Sequence, residues 1–208
     1  MNKIVPNNVF NYTQTEVEYL KKKDKRLAAA IDRIGIIERE VNKDIFSALI
    51  GSIVSQQISS KAAETVGNRL ESLCGKITPE RVHETDIAEI QKCGMSMRKA
   101  RYIKDAGEAV YSGALDLTAF PDMTDDEIIK QLSALPGIGV WTAEMLLIFS
   151  LGRMNVMSYG DLAIRRGICK LYRHKALTKE MFARYKKRYS PYGSVASLYL
   201  WEISTEET

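Results

Sequence analysis

Two stretches of the 208-residue sequence bring together residue types that can do chemistry. The first is Leu135-Pro136-Gly137-Ile138-Gly139-Val140-Trp141-Thr142. Pro136 cannot donate within a continuing helix, and the two glycines permit backbone angles and close approaches that side chains would block, so this is a turn between two helices. A helix starting near Val140 presents backbone N–H groups at its N-terminus, a ready site for phosphate, and the expected ligand is an anionic backbone. The second stretch is Tyr159-Gly160-Asp161-Leu162-Ala163. It sets one carboxylate, Asp161, at the start of a helix, where the helix dipole favours the anion. Trp141 and Met145, four apart, share a face of the second hairpin helix, and tryptophan faces attract cations and stack on purines. Each feature has a plainer alternative: a packing turn, an ordinary N-cap aspartate, a pair of core side chains.

The elements that must position these residues are helices. Thr124 to Glu127 has the form of a capping box, so a helix is expected from there to about Ala134. The second hairpin helix runs from about Val140 to Leu151 and ends at Gly152. Upstream, helical pattern begins near Thr15, after about ten irregular residues, and Asp24 caps a second piece with Leu27, Ala28, Ile31 and Ile34 at helical spacing before Gly35. Lys43 to Val54 repeats apolar residues at three and four and delivers Ser55-Gln56-Gln57-Ile58 into a loop, after which Ser59 or Ser60 caps a helix to Leu73. Thr78-Pro79 and Thr85 open two further helices, Cys93-Gly94 closes the second of them, and Ser96 caps Met97 to Ser112. After Asp161 a basic helix runs to about Tyr172, Thr178 caps another to Tyr189, and Pro191 with Ser194 starts the last, ending near Ile203. No stretch alternates with period two between turn signals, so the expected class is all-α, about ten helices and no sheet.

A chain of this size buries roughly 70% of its unfolded surface. With 30 Lys+Arg against 26 Asp+Glu the formal charge is only +4, but its distribution is uneven. From Leu162 to Ser190 there are ten Lys or Arg residues and one acid, Glu180, and Lys21 to Arg26 holds five bases with Asp24. Clustering behind Asp161 favours a phosphate-facing surface over an ordinary solvated face. Cys74, Cys93 and Cys169 are too few and too scattered for a disulfide framework or a zinc site. There is no secretory pattern at the N-terminus and no apolar run of membrane-spanning length, so a cytoplasmic protein without a membrane partner is expected, nucleoid-associated if bacterial.

Leu135 to Ala143 resembles the hairpin of the helix-hairpin-helix/GPD superfamily of DNA glycosylases, in which an aspartate about two dozen residues later is catalytic. Gly160-Asp161-Leu162 is similar to the family's Gly-Asp-Leu segment. The resemblance continues in Ser55-Gln56-Gln57-Ile58-Ser59, in Arg98-Lys99-Ala100-Arg101-Tyr102-Ile103 and in Pro191 to Trp201, and the nearest branch looks like the alkylpurine-removing 3-methyladenine DNA glycosylase II type. It implies two helical lobes, residues 1–44 plus 162–208 and a six-helix lobe 45–161 carrying the helix-hairpin-helix at about 124–151, with an active-site cleft between them. It assigns catalysis to Asp161, the duplex wedge to Gln57, and the base pocket to Gln56, Trp141, Met145 and Trp201. Gly137, Gly139, Val140, Thr142 and Arg165 would hold the DNA backbone. Backbone carbonyls of Ser133, Leu135 and Ile138 would hold a monovalent cation at the hairpin. No other cofactor is required. The four-cysteine iron–sulfur cluster of some relatives is excluded, because only Cys169 lies in the last hundred residues.

Where lyase-type relatives carry a nucleophilic lysine this chain has Trp141, which implies hydrolysis without strand cleavage. Glu144 is the one nearby candidate for a general acid. Met145 departs from the aromatic of the nearest relatives, and Gly193 stands where an arginine is expected. The leading expectation is a monomeric, monofunctional DNA glycosylase that flips alkylated purines out of double-stranded DNA. Its rivals are the same fold acting on neutral lesions such as hypoxanthine or oxidised guanine, and a non-catalytic helix-hairpin-helix DNA-binding module, which would have no need of Asp161.

Overall fold

A computed structural model describes residues 8–206. Its described residues hold twelve α-helices and one 3-10 helix, joined by short loops. The only extended pairing among them is an isolated antiparallel bridge between Val9 and Glu40, so the all-α class expected from the periodicity stands. The expectation of an irregular start falls mostly on residues outside those described; from residue 8 onward the chain pairs with 39–41 through Phe10 N–H to Arg39 O and Val41 N–H to Asn8 O.

Chain contacts divide the molecule into two compact units, a terminal unit of residues 1–41 and 147–208 and a central unit of residues 42–146. The second junction therefore falls inside the second hairpin helix, earlier than the boundary drawn after Asp161 from the sequence, and Asp161 belongs to the terminal unit.

The terminal unit is built from α1 (Gln14–Lys23), α2 (Lys25–Ile34), α10 (Leu162–Tyr172), α11 (Lys179–Tyr189) and α12 (Gly193–Thr205). Its core is α12, in which every residue from Gly193 to Leu200 is buried. Helix α10 lies against it at Gly167, where a Cβ would come within 2.2 Å of the Leu200 carbonyl oxygen, so the two backbones meet at a point that only glycine allows. Asp24, the cap of α2, is buried with its carboxylate accepting from the N–H groups of Arg26 and Leu27, from the Tyr172 hydroxyl and from Arg188. Burial opposes its charge, but Tyr172, the Leu27 N–H and Arg188 outweigh that and hold its carboxyl below the ordinary aspartate value.

The central unit runs through α3 (Ile45–Ser55), α4 (Ser60–Cys74), α5 (Pro79–Glu84), α6 (Ile87–Lys92), α7 (Met97–Tyr111), the 3-10 helix Leu117–Asp122, α8 (Asp125–Leu132) and the first part of α9 (Val140–Phe149). The caps read from the sequence are in place at Asp24, Ser59, Thr78, Ser96, Thr124, Asp161 and Thr178. Two are corrected. Thr85 closes α5, and Asp86 accepts the Ala88 N–H to open α6. Ser194 lies inside α12 and does not cap it: its hydroxyl is used on the loop before Asp161. The hairpin helices are also shorter than the pattern suggested, ending at Leu132 and Phe149.

Candidate active site

Among the described residues, ten of the twelve α-helices start behind a side chain that accepts one of their first N–H groups. The exceptions are α9 and α12. In α12 the Ser194 N–H is satisfied inside the terminal unit by the Met154 carbonyl at 3.0 Å. In α9 the preceding residue is Gly139, which is exposed and has no side chain with which to cap. The residue before α9 thus supplies no side-chain acceptor of its own to the first turn of that helix.

The hairpin is held by its neighbours within the central unit. Gly137 has a left-handed φ of 83°, and a Cβ there would come within 2.3 Å of the Tyr102 ring. The Gln56 side-chain amide donates to the Gly137 carbonyl at 2.8 Å. Gln56 is therefore tied to the hairpin rather than extended freely toward a nucleotide. Next to it, Gln57 is exposed and adopts φ 58°, a left-handed conformation that side chains other than glycine and asparagine adopt at a cost of about 1–2 kcal/mol. The turn and the N-terminus of α7 border a cavity of about 480 Å³ lined in part by Gln57, Arg98, Lys99 and Tyr102. Burial pulls the Lys99 ammonium below the ordinary lysine value.

The other residues assigned to the hairpin separate by exposure. Val140 and Trp141 are half-exposed, at 55% and 48%, so Trp141 is not a core side chain. Met145 is half-buried. Thr142 is buried at 8%, which leaves its backbone rather than its hydroxyl for a phosphate. Ile138 is buried and donates to the Leu135 carbonyl at 3.2 Å. The Ser133 hydroxyl is buried without a hydrogen-bond partner, an orphaned oxygen where the proposed cation ligands converge in sequence, and this fits an ion or water there.

In the terminal unit, Asp161 is buried at 7% and its Oδ1 accepts the N–H groups of Ala163 and Ile164, both at 2.9 Å. The loop that delivers it is fastened to α12. Ser194 Oγ donates to the Arg153 carbonyl at 2.6 Å and accepts the Val156 N–H at 2.9 Å, and Asn155 donates to Ser190; Ser197 Oγ donates to the Gly193 carbonyl at 2.9 Å within α12 and lies 3.3 Å from the Val156 carbonyl. A Cβ at Gly193 would come within 3.3 Å of the Asn155 side chain, so a larger residue there would press on the loop by a few tenths of an ångström. Trp201, half-buried two turns along α12, packs on Phe149 with ring centroids 5.6 Å apart. Arg165 and Lys179 both lie over the Tyr159 ring, at 4.8 and 5.8 Å, and place two cations beside the start of α10.

The sequence reading missed the parts that hold this arrangement. No spacing rule connects Lys99 to its carbonyl partners 45 and 43 residues upstream, or Tyr102 to Gly137 on the far side of α8. A serine near a helix start is usually a cap, and no local pattern marks Ser194 as one whose hydroxyl serves a distant loop.

The description HhH-GPD superfamily base excision DNA repair protein matches residues 50–191. The chain is 33% identical over 203 residues to DNA-3-methyladenine glycosylase 1 of Schizosaccharomyces pombe, covering 94% of this chain and 89% of that protein. The crystal structure of a DNA-3-methyladenine glycosidase from Bacillus halodurans superposes with a TM-score of 0.85 at 37% identity, over 91% of this chain and 89% of that one. The Schizosaccharomyces pombe 3-methyladenine DNA glycosylase in complex with abasic DNA follows at a TM-score of 0.78 and 34% identity, over 91% and 96% of the two chains. The match spans both the uncapped hairpin and the buried aspartate, and the chain belongs to the HhH-GPD superfamily of base excision DNA repair proteins.

Proposed function

We propose that this DNA glycosylase removes alkylated purines of the 3-methyladenine and 7-methylguanine type from double-stranded DNA by hydrolysis, without cutting the strand. The observation that carries the reading is Asp161, a buried carboxylate held by two N–H groups at the start of α10. As the base departs, positive charge builds on the sugar, and a fixed carboxylate stabilises it and orients water. The water oxygen bonds to C1′, the electron pair of the C1′–N bond leaves with the purine, and the water proton passes to the carboxylate. A purine that is already cationic leaves neutral and needs no acid. Glu144 is half-buried and stands four residues before Ile148 on α9, and no proton donor is required of it on this scheme.

Gln57 is the proposed wedge, since an exposed side chain on a left-handed turn projects from the surface, and a flipped base leaves a gap to be filled. Trp141, Met145 and Trp201 are the proposed base contacts. Gly137, Gly139, Val140 and the Thr142 backbone, with Arg165, are the proposed DNA anchor. The carbonyls of Ser133, Leu135 and Ile138 would hold a monovalent cation, which supplies a counter-charge for a phosphate when bound. Trp141 cannot form a Schiff base, which supports hydrolysis alone.

The test is single-turnover release of 7-methylguanine, 3-methyladenine and hypoxanthine from matched duplexes, with borohydride added in parallel. Cationic bases should leave at least about tenfold faster, a barrier difference of about 1.4 kcal/mol. Equal release of hypoxanthine, or a borohydride-trapped adduct, would overturn the respective half of the proposal.

A further inference from the structure

The block Arg98 to Ile103 takes no part in the chemistry assigned to Asp161, yet it touches both features of the central unit proposed to meet DNA, the Gln57 turn and the hairpin. Helix α3 ends poorly by itself: the Gln56 N–H reaches Ile53 O at 3.4 Å and the Ile58 N–H reaches Ser55 O at 3.5 Å, both at the long edge of hydrogen bonding. The last carbonyls of a helix need partners from elsewhere. Lys99 supplies them, its Nζ donating to Val54 O at 2.8 Å and to Gln56 O at 2.5 Å. One carbonyl immediately precedes Gln57 and the other lies three residues before it, and the left-handed φ of 58° at Gln57 must be held by its surroundings. Gln56 in turn donates to Gly137 O, and Tyr102, one turn after Lys99 on α7, lies against Gly137. A lysine meant for a DNA phosphate would keep its ammonium solvated. This one is spent on two carbonyls, and burial lowers its pKa.

We propose that Lys99 is a positioning residue that fixes the Gln57 wedge relative to the hairpin anchor, so that gripping the DNA backbone and filling the gap left by the flipped base occur in one geometry. The inference rests on the glycosylase reading of Gln57 and the hairpin. Lys99→Met keeps the aliphatic stem and removes the donors, whereas Lys99→Arg keeps donors. Each variant is compared with the intact chain by the fluorescence of 2-aminopurine placed beside the lesion, which reports flipping, and by single-turnover excision of the same lesion when paired and when in a one-nucleotide bulge.

In Lys99→Met, flipping and excision of the paired lesion should slow about tenfold or more, while excision from the bulge, where no partner must be displaced, should stay within about twofold. Affinity for undamaged duplex should change by less than about threefold, and Lys99→Arg should recover most of the paired rate. Unchanged flipping in Lys99→Met, or equal losses on paired and bulged lesions, would overturn the proposal. If Lys99→Met does not melt cooperatively, Lys99→Gln, which keeps a polar end but is too short to serve both Val54 O and Gln56 O, carries the same expectation. An unmodified protein that released no base would overturn the reaction instead, and the fluorescence measurement, which needs no chemistry, would still decide the role of Lys99.

Discussion

Helix α9 begins behind Gly139, which has no side chain to cap it, whereas α10 begins behind Asp161, whose Oδ1 takes the N–H groups of Ala163 and Ile164. Both starts carry the partial positive charge of a helix N-terminus. At α9 the proposed use of that charge is a DNA phosphate, and at α10 it is used by the protein to hold an acid in place. The second use occurs again at α2, where Asp24 accepts the Arg26 and Leu27 N–H groups in the same way but is enclosed by Tyr172 and Arg188. The cap geometry alone therefore does not mark a catalytic residue. Asp24 is held by partners inside its own unit, and Asp161 is delivered by a loop that Ser194 of α12 fastens.

The largest effect should come from removing the charge of Asp161 while keeping the cap. Asparagine caps as well as aspartate, so Asp161→Asn should melt within a few tenths of a kcal/mol of the parent, yet base release should fall by about 10²–10⁴-fold. DNA binding should survive. A variant that turned over normally would reduce Asp161 to the same structural role as Asp24.

Next in size is the placement of α10. Gly167→Ala would push a methyl group against the Leu200 backbone, which cannot rotate away, so folding stability should drop by about 1–3 kcal/mol in denaturant titrations. A wild-type midpoint in that variant would mean that α10 is not fixed by this crossing.

A smaller change makes α9 resemble α10. A Cβ at Gly139 meets nothing within 4 Å, so Gly139→Asp should be accommodated and should even stabilise the helix by a few tenths of a kcal/mol. Its carboxylate would occupy the N–H groups meant for a phosphate. Affinity for duplex DNA should fall about tenfold, and the salt dependence of binding should flatten by about one unit of slope. Undiminished affinity would show that the hairpin is a packing turn.

The smallest effect concerns acid. The Asp24 carboxyl is held below its ordinary value in the folded chain, so its contribution is present above the unfolded pKa of about 3.9 and is lost as the pH falls through the folded value. Asp24→Asn should therefore lose stability at neutral pH and show a flatter acid limb below about pH 4 in urea titrations. An acid limb parallel to that of the parent would mean that Asp24 gains nothing from Tyr172 and Arg188.

Much of this molecule is legible from local chemistry. Thr124, Ser96, Thr178 and Asp24 announce helix starts because an N-cap is a short-range event, decided within three residues. The hairpin and Asp161 were legible for the same reason, as a proline with two glycines and an acid before an apolar helix. The 3-10 helix Leu117–Asp122 was not, since it contains Pro121 and lacks a helical apolar stripe. Nor were the supports of the site. That Ser194 holds residues 153–156, and that Lys99 closes α3, depends on which distant backbone carbonyls are left unsatisfied after folding, and no periodicity carries that information.

Helix α12 sets a limit on how this protein can diverge. Ser194, Ser197 and Trp201 follow at three and four residues, so Ser194, which fastens the Asp161 loop, and the aromatic ring share one face, with Ser197 and Trp201 about 6 Å apart along the axis. Exchange of the side chain at 201 alters the ring without touching the loop. A single inserted residue between 197 and 201 would instead turn the ring by about 100° away from that face. On the proposed role of Trp201 as a base contact, variants with altered base preference should be sought among substitutions at 201 rather than among changes of length around it.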